Sequence, residues 1–307
     1  MAAELSFYAA PGPMTTLAGF RQELLAGTPS EPGLVARMVQ GLIVHDAWAG
    51  AYQLTVCPER WADGQIRSAA RMLRRILELD GRALTQARPP AARFVGNCRH
   101  FSTLTVALLR YRGVPSRARC GFASYFEPGK WHDHWVVEYW DGGRWVTMDP
   151  QIDDLQRKLT GLAGDPMALS AGAFLPAGAA WRRCRSGQED PGAFRARGAA
   201  GWNPVISNLA RDFAALNKVE MLPWDGWGAL SSPGASPPGA LVDEIATLCV
   251  SGGFRAIRQR YQADATLKVP ARVHVGIPAG AEPDVPELEG GGRTVLIPAR
   301  RQAPQQP

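Results

Sequence analysis

Apolar residues recur with a helical period along the first third of the chain and give way to strand-like alternation near its middle. Residues 33–44 read as a helix. Residues 64–80 read as another, with Ile66, Ala70, Leu73 and Leu77 along one side, Arg71, Arg74 and Arg75 along the other, and Asp63 and Gly81 at its ends. A third helix is predicted over 97–111. There Phe101, Leu104 and Leu108 keep helical spacing, Asn97 is a suitable N-cap, and Gly113 stands where a left-handed cap would fall. Strands are predicted near 117–126, 134–140 and 143–149, the last two rich in aromatic and β-branched residues. Asp141-Gly142 between them favours a two-residue type I′ turn, which pairs 140 with 143 and carries 134 opposite 149. Beyond these, Asn203-Pro204 opens a helix with Val205, Leu209, Phe213 and Leu216 on one face, and 241–262 reads as helical with a break at Gly252-Gly253.

This layout places three reactive side chains in a useful order. Cys98 falls in the first turn of the 97–111 helix, where unpaired backbone N–H groups and the positive end of the helix dipole stabilise a thiolate, the nucleophilic form of cysteine. The same amides can serve an oxyanion, and Gly96 leaves room for a substrate to approach. Directly opposed residues of a hairpin have Cβ atoms roughly 4.5–5.5 Å apart, so Asp149 can reach the His134 imidazole. Cys98 is then the nucleophile, His134 its base and Asp149 the carboxylate that orients the base. His100 is the rival base, but residues two apart on one helix do not face each other. It is read as packing or touching substrate. Trp131, in the loop entering the His134 strand, is read as lining the cleft, with Asn97 and Trp135 as further substrate contacts.

The runs Gly96-Asn-Cys-Arg-His-Phe101, Ala107-Leu-Leu-Arg-Tyr-Arg-Gly-Val-Pro-Ser-Arg-Ala-Arg-Cys-Gly-Phe122, His134-Trp-Val-Val-Glu-Tyr-Trp140 and Trp145-Val-Thr-Met-Asp-Pro150 resemble the core of the transglutaminase-like superfamily, over about residues 94–153. The resemblance implies an α+β, papain-like fold in which a helix carrying the cysteine packs on an antiparallel sheet carrying histidine and aspartate. It implies amide acyl transfer, peptide hydrolysis or deglycosylation, with Cys98, His134 and Asp149 as the triad. An upstream side chain often assists the oxyanion in this family, and Trp48 and Trp61 are the candidates here. Two positions depart from the animal transglutaminases. Asn97-Cys98-Arg99 stands where Gln-Cys-Trp is typical, and Asp133 where alanine is common before the histidine, so the thiol's surroundings are expected to be more polar. The run from Asn208 through Asp212, Asn217, Glu220, Trp224 and Asp225 to Trp227 resembles a segment of stand-alone bacterial proteins of the same superfamily.

Composition narrows the rest. With 307 residues, 46% of them hydrophobic, the chain can bury a sizeable core. Residues 1–230 are expected to form the catalytic domain, with N-terminal helices and a C-terminal helical extension; 231–240 is a Pro/Gly linker or loop, 241–275 a helical segment packing on the core, and 276–307 a mostly flexible tail. The net charge is +6, and 30 of the 34 basic side chains are arginine, which reads as a compositional habit. No run of five or six like charges and no recognition motif appears, so nucleic acid is not an expected partner. His132 and His134 could suggest zinc, but no second ligand cluster accompanies them, and neither metal nor cofactor is expected. His45 and His274 have no evident partners. Cys57, Cys120, Cys184 and Cys249 are assigned to packing; an odd count of five without disulfide spacing fits a reducing, cytoplasmic setting. The chain start has no basic run before an apolar segment, and no stretch of 18 apolar residues occurs, so neither export nor membrane insertion is expected. Three functions remain. The first is acyl transfer through a thioester acyl-enzyme, from an amide, peptide or carrier thioester to an amine. The second is a cysteine peptidase or amidase, and the third a catalytically silent binding module that keeps the fold.

Overall fold

The computed structural model describes residues 1–231, 239–275 and 297–298. Helices α1 (Ala2–Ala9) and α2 (Pro32–Gln40) lead into strand β1 (Ile43–His45), and α3 (Ala69–Leu79) leads through β2 (Phe94–Gly96) into α4 (Cys98–Tyr111). Then come β3 (Ser116–Ala123), β4 (Trp131–Trp140), β5 (Trp145–Met148), α5 (Asp154–Leu159), β6 (Phe174–Pro176), α6 (Ala177–Arg185), β7 (Phe194–Ala196), β8 (Ala199–Ala200) and α7 (Trp202–Leu216). Helices α8 (Gly228–Ser231), α9 (Gly239–Ser251) and α10 (Phe254–Ala263) follow.

The helix that carries Cys98 is the centre of the core. Its residues from Cys98 to Arg110 are all buried, because α2 and α3 cover one side and β3 and β4 the other. Each of its buried leucines contributes about 1.5–3 kcal/mol. The sheet runs β6-β3-β4-β7-β8, with β5 pairing beside β4 ahead of β7; β3, β4 and β5 are antiparallel, and β7 is parallel to β4. α7 packs on β3 and is backed by α6 and α9, forming a second apolar cluster around Phe213, Trp227 and Ile245. The architecture is thus the expected α+β arrangement of a cysteine-bearing helix on an antiparallel sheet.

Several expected boundaries move for identifiable reasons. The helix expected over 33–44 stops at Gln40, and the β-branched Ile43-Val44 instead pairs in parallel with Phe94-Val95. The helix expected from 64 begins after Ser68, because the Asp63 carboxylate is taken by Arg60 and Arg75 rather than by helix amides, and 58–65 forms 3-10 turns. The hairpin register also differs from the expected one. Trp140 pairs with Trp145, not Gly143, so the loop has four residues; the Asp141 carboxylate accepts from the Gly143 and Arg144 amides, and Gly142 sits at φ 104°. The helix expected at Asn203 runs from Trp202, and the break at Gly252-Gly253 separates α9 from α10. Most of the expected linker (232–238) and tail (276–296 and 299–307) lies outside the described residues.

Arginine is used in the interior rather than as surface decoration. Arg67 meets Asp225 at 2.6 Å, Arg119 meets Asp212 at 2.8 Å and Arg110 meets Glu220 at 3.4 Å, all six side chains being almost fully buried. Each acid comes from the 208–227 run, so that segment neutralises cations of the core. No helix among the described residues is long and apolar enough to cross a membrane.

Candidate active site

Asn97 caps α4: its side chain accepts from the Arg99 amide, and its own amide donates to His100 Nδ1 at 3.1 Å. This capping box fixes the first turn and holds Cys98 at the mouth of the helix, where its amide has no intrahelical acceptor. His100 is consumed by the cap. It is fully buried, its Nε2 lies 3.1 Å from the Ile66 carbonyl, and burial drives its pKa well below the usual histidine value, so it neither acts as a base nor reaches the cavity wall. The space beside Gly96 is filled by the His100 and Phe94 rings rather than left for substrate. Arg99 also turns inward. Its guanidinium bonds the Glu220 and Arg67 carbonyls, and burial lowers its pKa to about 9, so it adds no polarity next to the thiol.

His134 and Asp149 meet despite the changed register. A shift of two residues keeps every side chain on its original face, whereas a shift of one would have separated them. His134 Nε2 lies 2.7 Å from Asp149 Oδ2, both groups being buried. The Tyr125 hydroxyl donates to the same carboxylate oxygen at 2.5 Å, and the Gln151 amide donates to Oδ1 at 2.9 Å, so Asp149 cannot swing away. With Nε2 engaged, Nδ1 is the ring nitrogen left to face the Cys98 sulfur, and the two groups shift each other's proton affinity. Burial alone would depress the His134 pKa, but the Asp149 charge and hydrogen bond and the contact with Cys98 raise it to about 10. Burial would raise the Cys98 pKa; hydrogen bonds to His134 and His45 outweigh it and bring the thiol below its ordinary range. Both shifts run in the direction that favours thiolate and imidazolium over the neutral pair.

Cys98 opens into a cavity of about 700 Å³. Trp48, Trp61 and Phe126 form aromatic walls; Asn97, Asp133, His134 and Gln151 supply polar groups, and Arg197 stands at the rim. The Phe126 ring meets His134 edge-on at 5.1 Å and tilts against Trp48 at 6.2 Å. Two expected contacts lie elsewhere. Trp135 is fully buried in the core between α4 and the sheet, and Trp131 stacks on Phe194 at 5.9 Å, away from the cavity lining. Other lining residues were not signalled by sequence. His45 and Asp46 line the cavity next to Cys98, and the Leu42-Ile-Val-His-Asp46 run, an apolar strand ending in an acid–base dipeptide, was the available cue. Arg197 adopts φ 50° and lies over the Trp224 ring at 4.7 Å; nothing in its local sequence pointed to the cavity.

Residues 70–150 match the family model of the transglutaminase-like superfamily. No curated protein matches the sequence. Among solved structures, the chain is similar to a "putative cysteine protease" from Cytophaga hutchinsonii, at 16% identity and a TM-score of 0.34, over 57% of this chain and 51% of that one. It is also similar to red sea bream transglutaminase, at 18% identity and a TM-score of 0.32, over 51% of this chain and 33% of that one. The chain therefore spans about half the length of the first and a third of the second. The matched 70–150 segment contains α4 and strands β3, β4 and β5.

Proposed function

We propose that this protein is a cysteine acyltransferase that takes an acyl group from an amide, peptide or carrier thioester and passes it to an amine. One observation carries the reading: the Cys98 thiol shares its cavity with an imidazole that Asp149 holds at 2.7 Å. The thiolate attacks the donor carbonyl, forming an S–C bond as the carbonyl electron pair moves to oxygen, next to the Cys98 amide. Collapse restores the carbonyl, and His134 hands its proton to the departing nitrogen or sulfur. Asp149 holds the ring in the tautomer that can do this. His134, now neutral, accepts a proton from the incoming amine as its nitrogen attacks the thioester carbon; collapse of that adduct re-forms the carbonyl, breaks the C–S bond and returns the electron pair to the Cys98 thiolate as the amide leaves. The aromatic walls supplied by Trp48, Trp61 and Phe126 limit water at the thioester, which favours an amine over hydrolysis.

The test is intact-mass analysis of the protein incubated with amide and thioester donors, with and without primary amines. The expected result is an acyl adduct on Cys98, absent in Cys98→Ala, that disappears faster when amine is added and yields an amide product. Loss of the adduct to water at a rate indifferent to amine would instead make the protein an amidase or peptidase. A thiol that no donor acylates would exclude both.

A further inference from the structure

Cys98 has a second imidazole partner that the steps above leave unused. β1 runs parallel to β2 with His45 in register with Gly96, which carries the His45 ring alongside the segment that turns into α4. His45 and Asp46 both line the cavity. His45 Nδ1 lies 2.9 Å from Asp46 Oδ1, and the Ala47 amide donates to that oxygen at 2.7 Å, so the carboxylate is fixed. Nε2 is the ring nitrogen left to face the sulfur, and His45 and Cys98 shift each other's proton affinity. The thiol thus lies between two histidines, each backed by its own aspartate. Trp48 and Trp61, the expected upstream helpers, share the cavity with it.

We propose that His45, held by Asp46, is a catalytic residue that donates its Nε2–H to the carbonyl oxygen as Cys98 attacks, completing with the Cys98 amide the site for the developing negative charge; this role rests on the acyl-transfer reading above. One ring cannot hold the oxyanion and also deliver a proton to the leaving group on the far side of the carbon. His134 delivers the proton, and His45 keeps its own. In the attack the S–C bond forms and the carbonyl pair passes to oxygen, which accepts from His45; in the collapse that pair re-forms the carbonyl and the bond to the leaving group breaks. Burial would lower the proton affinity of His45, but Asp46 and Cys98 raise its pKa to about 9; with Nδ1 facing Asp46 at 2.9 Å and the Ala47 amide at 3.1 Å, Nε2 is the nitrogen that holds a proton toward the cavity. The other charged or titratable neighbours of this ring are His100, which burial keeps neutral, and Asp133 across the cavity.

The experiment compares two reactions of the same sulfur in wild type, His45→Ala and His45→Gln. Alkylation by iodoacetamide generates no oxyanion, whereas acylation by an aryl ester or thioester does. At a pH high enough for alkylation to have reached its plateau, His45→Ala is expected to alkylate within about threefold of wild type yet acylate about 10²–10³-fold more slowly. His45→Gln, which retains a neutral N–H donor, is expected to recover about tenfold of that loss. Protection of the buried Cys120, Cys184 and Cys249 from the same reagent reports that each variant has folded. If acylation and alkylation fall together and both recover as pH rises, His45 only ionises the thiol and the oxyanion role is overturned. An unchanged acylation rate in His45→Ala overturns it as well. Wild-type protein that alkylates at Cys98 but is acylated by no donor overturns the acyl-transfer reading, and this role with it.

Discussion

At the scale of single residues, the candidate site is a set of titratable groups whose proton affinities depend on one another. Asp149 accepts from His134, Tyr125 and the Gln151 amide, so an amide in its place keeps the shape but loses the charge that sustains the imidazolium. Asp149→Asn is expected to slow acylation of Cys98 by about 10²–10⁴-fold in single-turnover measurements, with an unchanged far-UV circular dichroism spectrum serving as the check that the fold persists. The pH dependence follows from three shifts. The thiol is lowered from its ordinary range near 8.5, so the reactive pair accumulates as pH rises through a value below that. His134 is raised to about 10, so the proton needed by the leaving group is lost as pH climbs through that value. Acylation against pH is therefore expected to rise early, begin to fall near 9 as His45 loses its charge and fall further near 10, whereas iodoacetamide capture, which needs neither proton donor, keeps the early rise without the later fall.

At the scale of elements, the parts that proved legible are those governed by short-range chemistry. The Asn97 cap of α4 was readable because it acts within one turn, whereas the part His100 plays in that cap was not read. The hairpin was readable as a hairpin, yet its loop was not. An Asp-Gly pair fits a two-residue turn, but the Asp141 carboxylate instead organises the two amides that follow Gly142 and extends the loop to Arg144. Gly142 sits at φ 104° with no atom near its missing Cβ, so Gly142→Ala is expected to cost about 1 kcal/mol from backbone strain alone, read as a lower urea midpoint. His45 was not legible for the opposite reason. Its place depends on parallel pairing of two three-residue strands about fifty residues apart, too short to show a period and too distant to show a turn.

At the scale of the whole molecule, the excess of arginine over lysine reads from composition as habit, whereas the structure buries several of these side chains as counter-charges and carbonyl ligands. Arg67 and Asp225 form two hydrogen bonds, 2.6 and 3.0 Å long, with almost no solvent contact. Removing one partner of such a pair strands the other, so Asp225→Asn is expected to destabilise the protein by about 3–5 kcal/mol in urea unfolding. The 208–227 segment resembled a bacterial sequence pattern, but pattern alone could not reveal that its acids pair with cations from distant parts of the chain. Motif and folding unit are consequently of different extent. A piece trimmed to the matched residues 70–150 would keep Arg99, Arg110 and Arg119 while discarding Asp212 and Glu220, leaving guanidinium groups stranded in hydrocarbon. Electroneutrality of the interior, rather than the reach of the recognisable signature, therefore sets how much polypeptide must be present before Cys98 can be held in place.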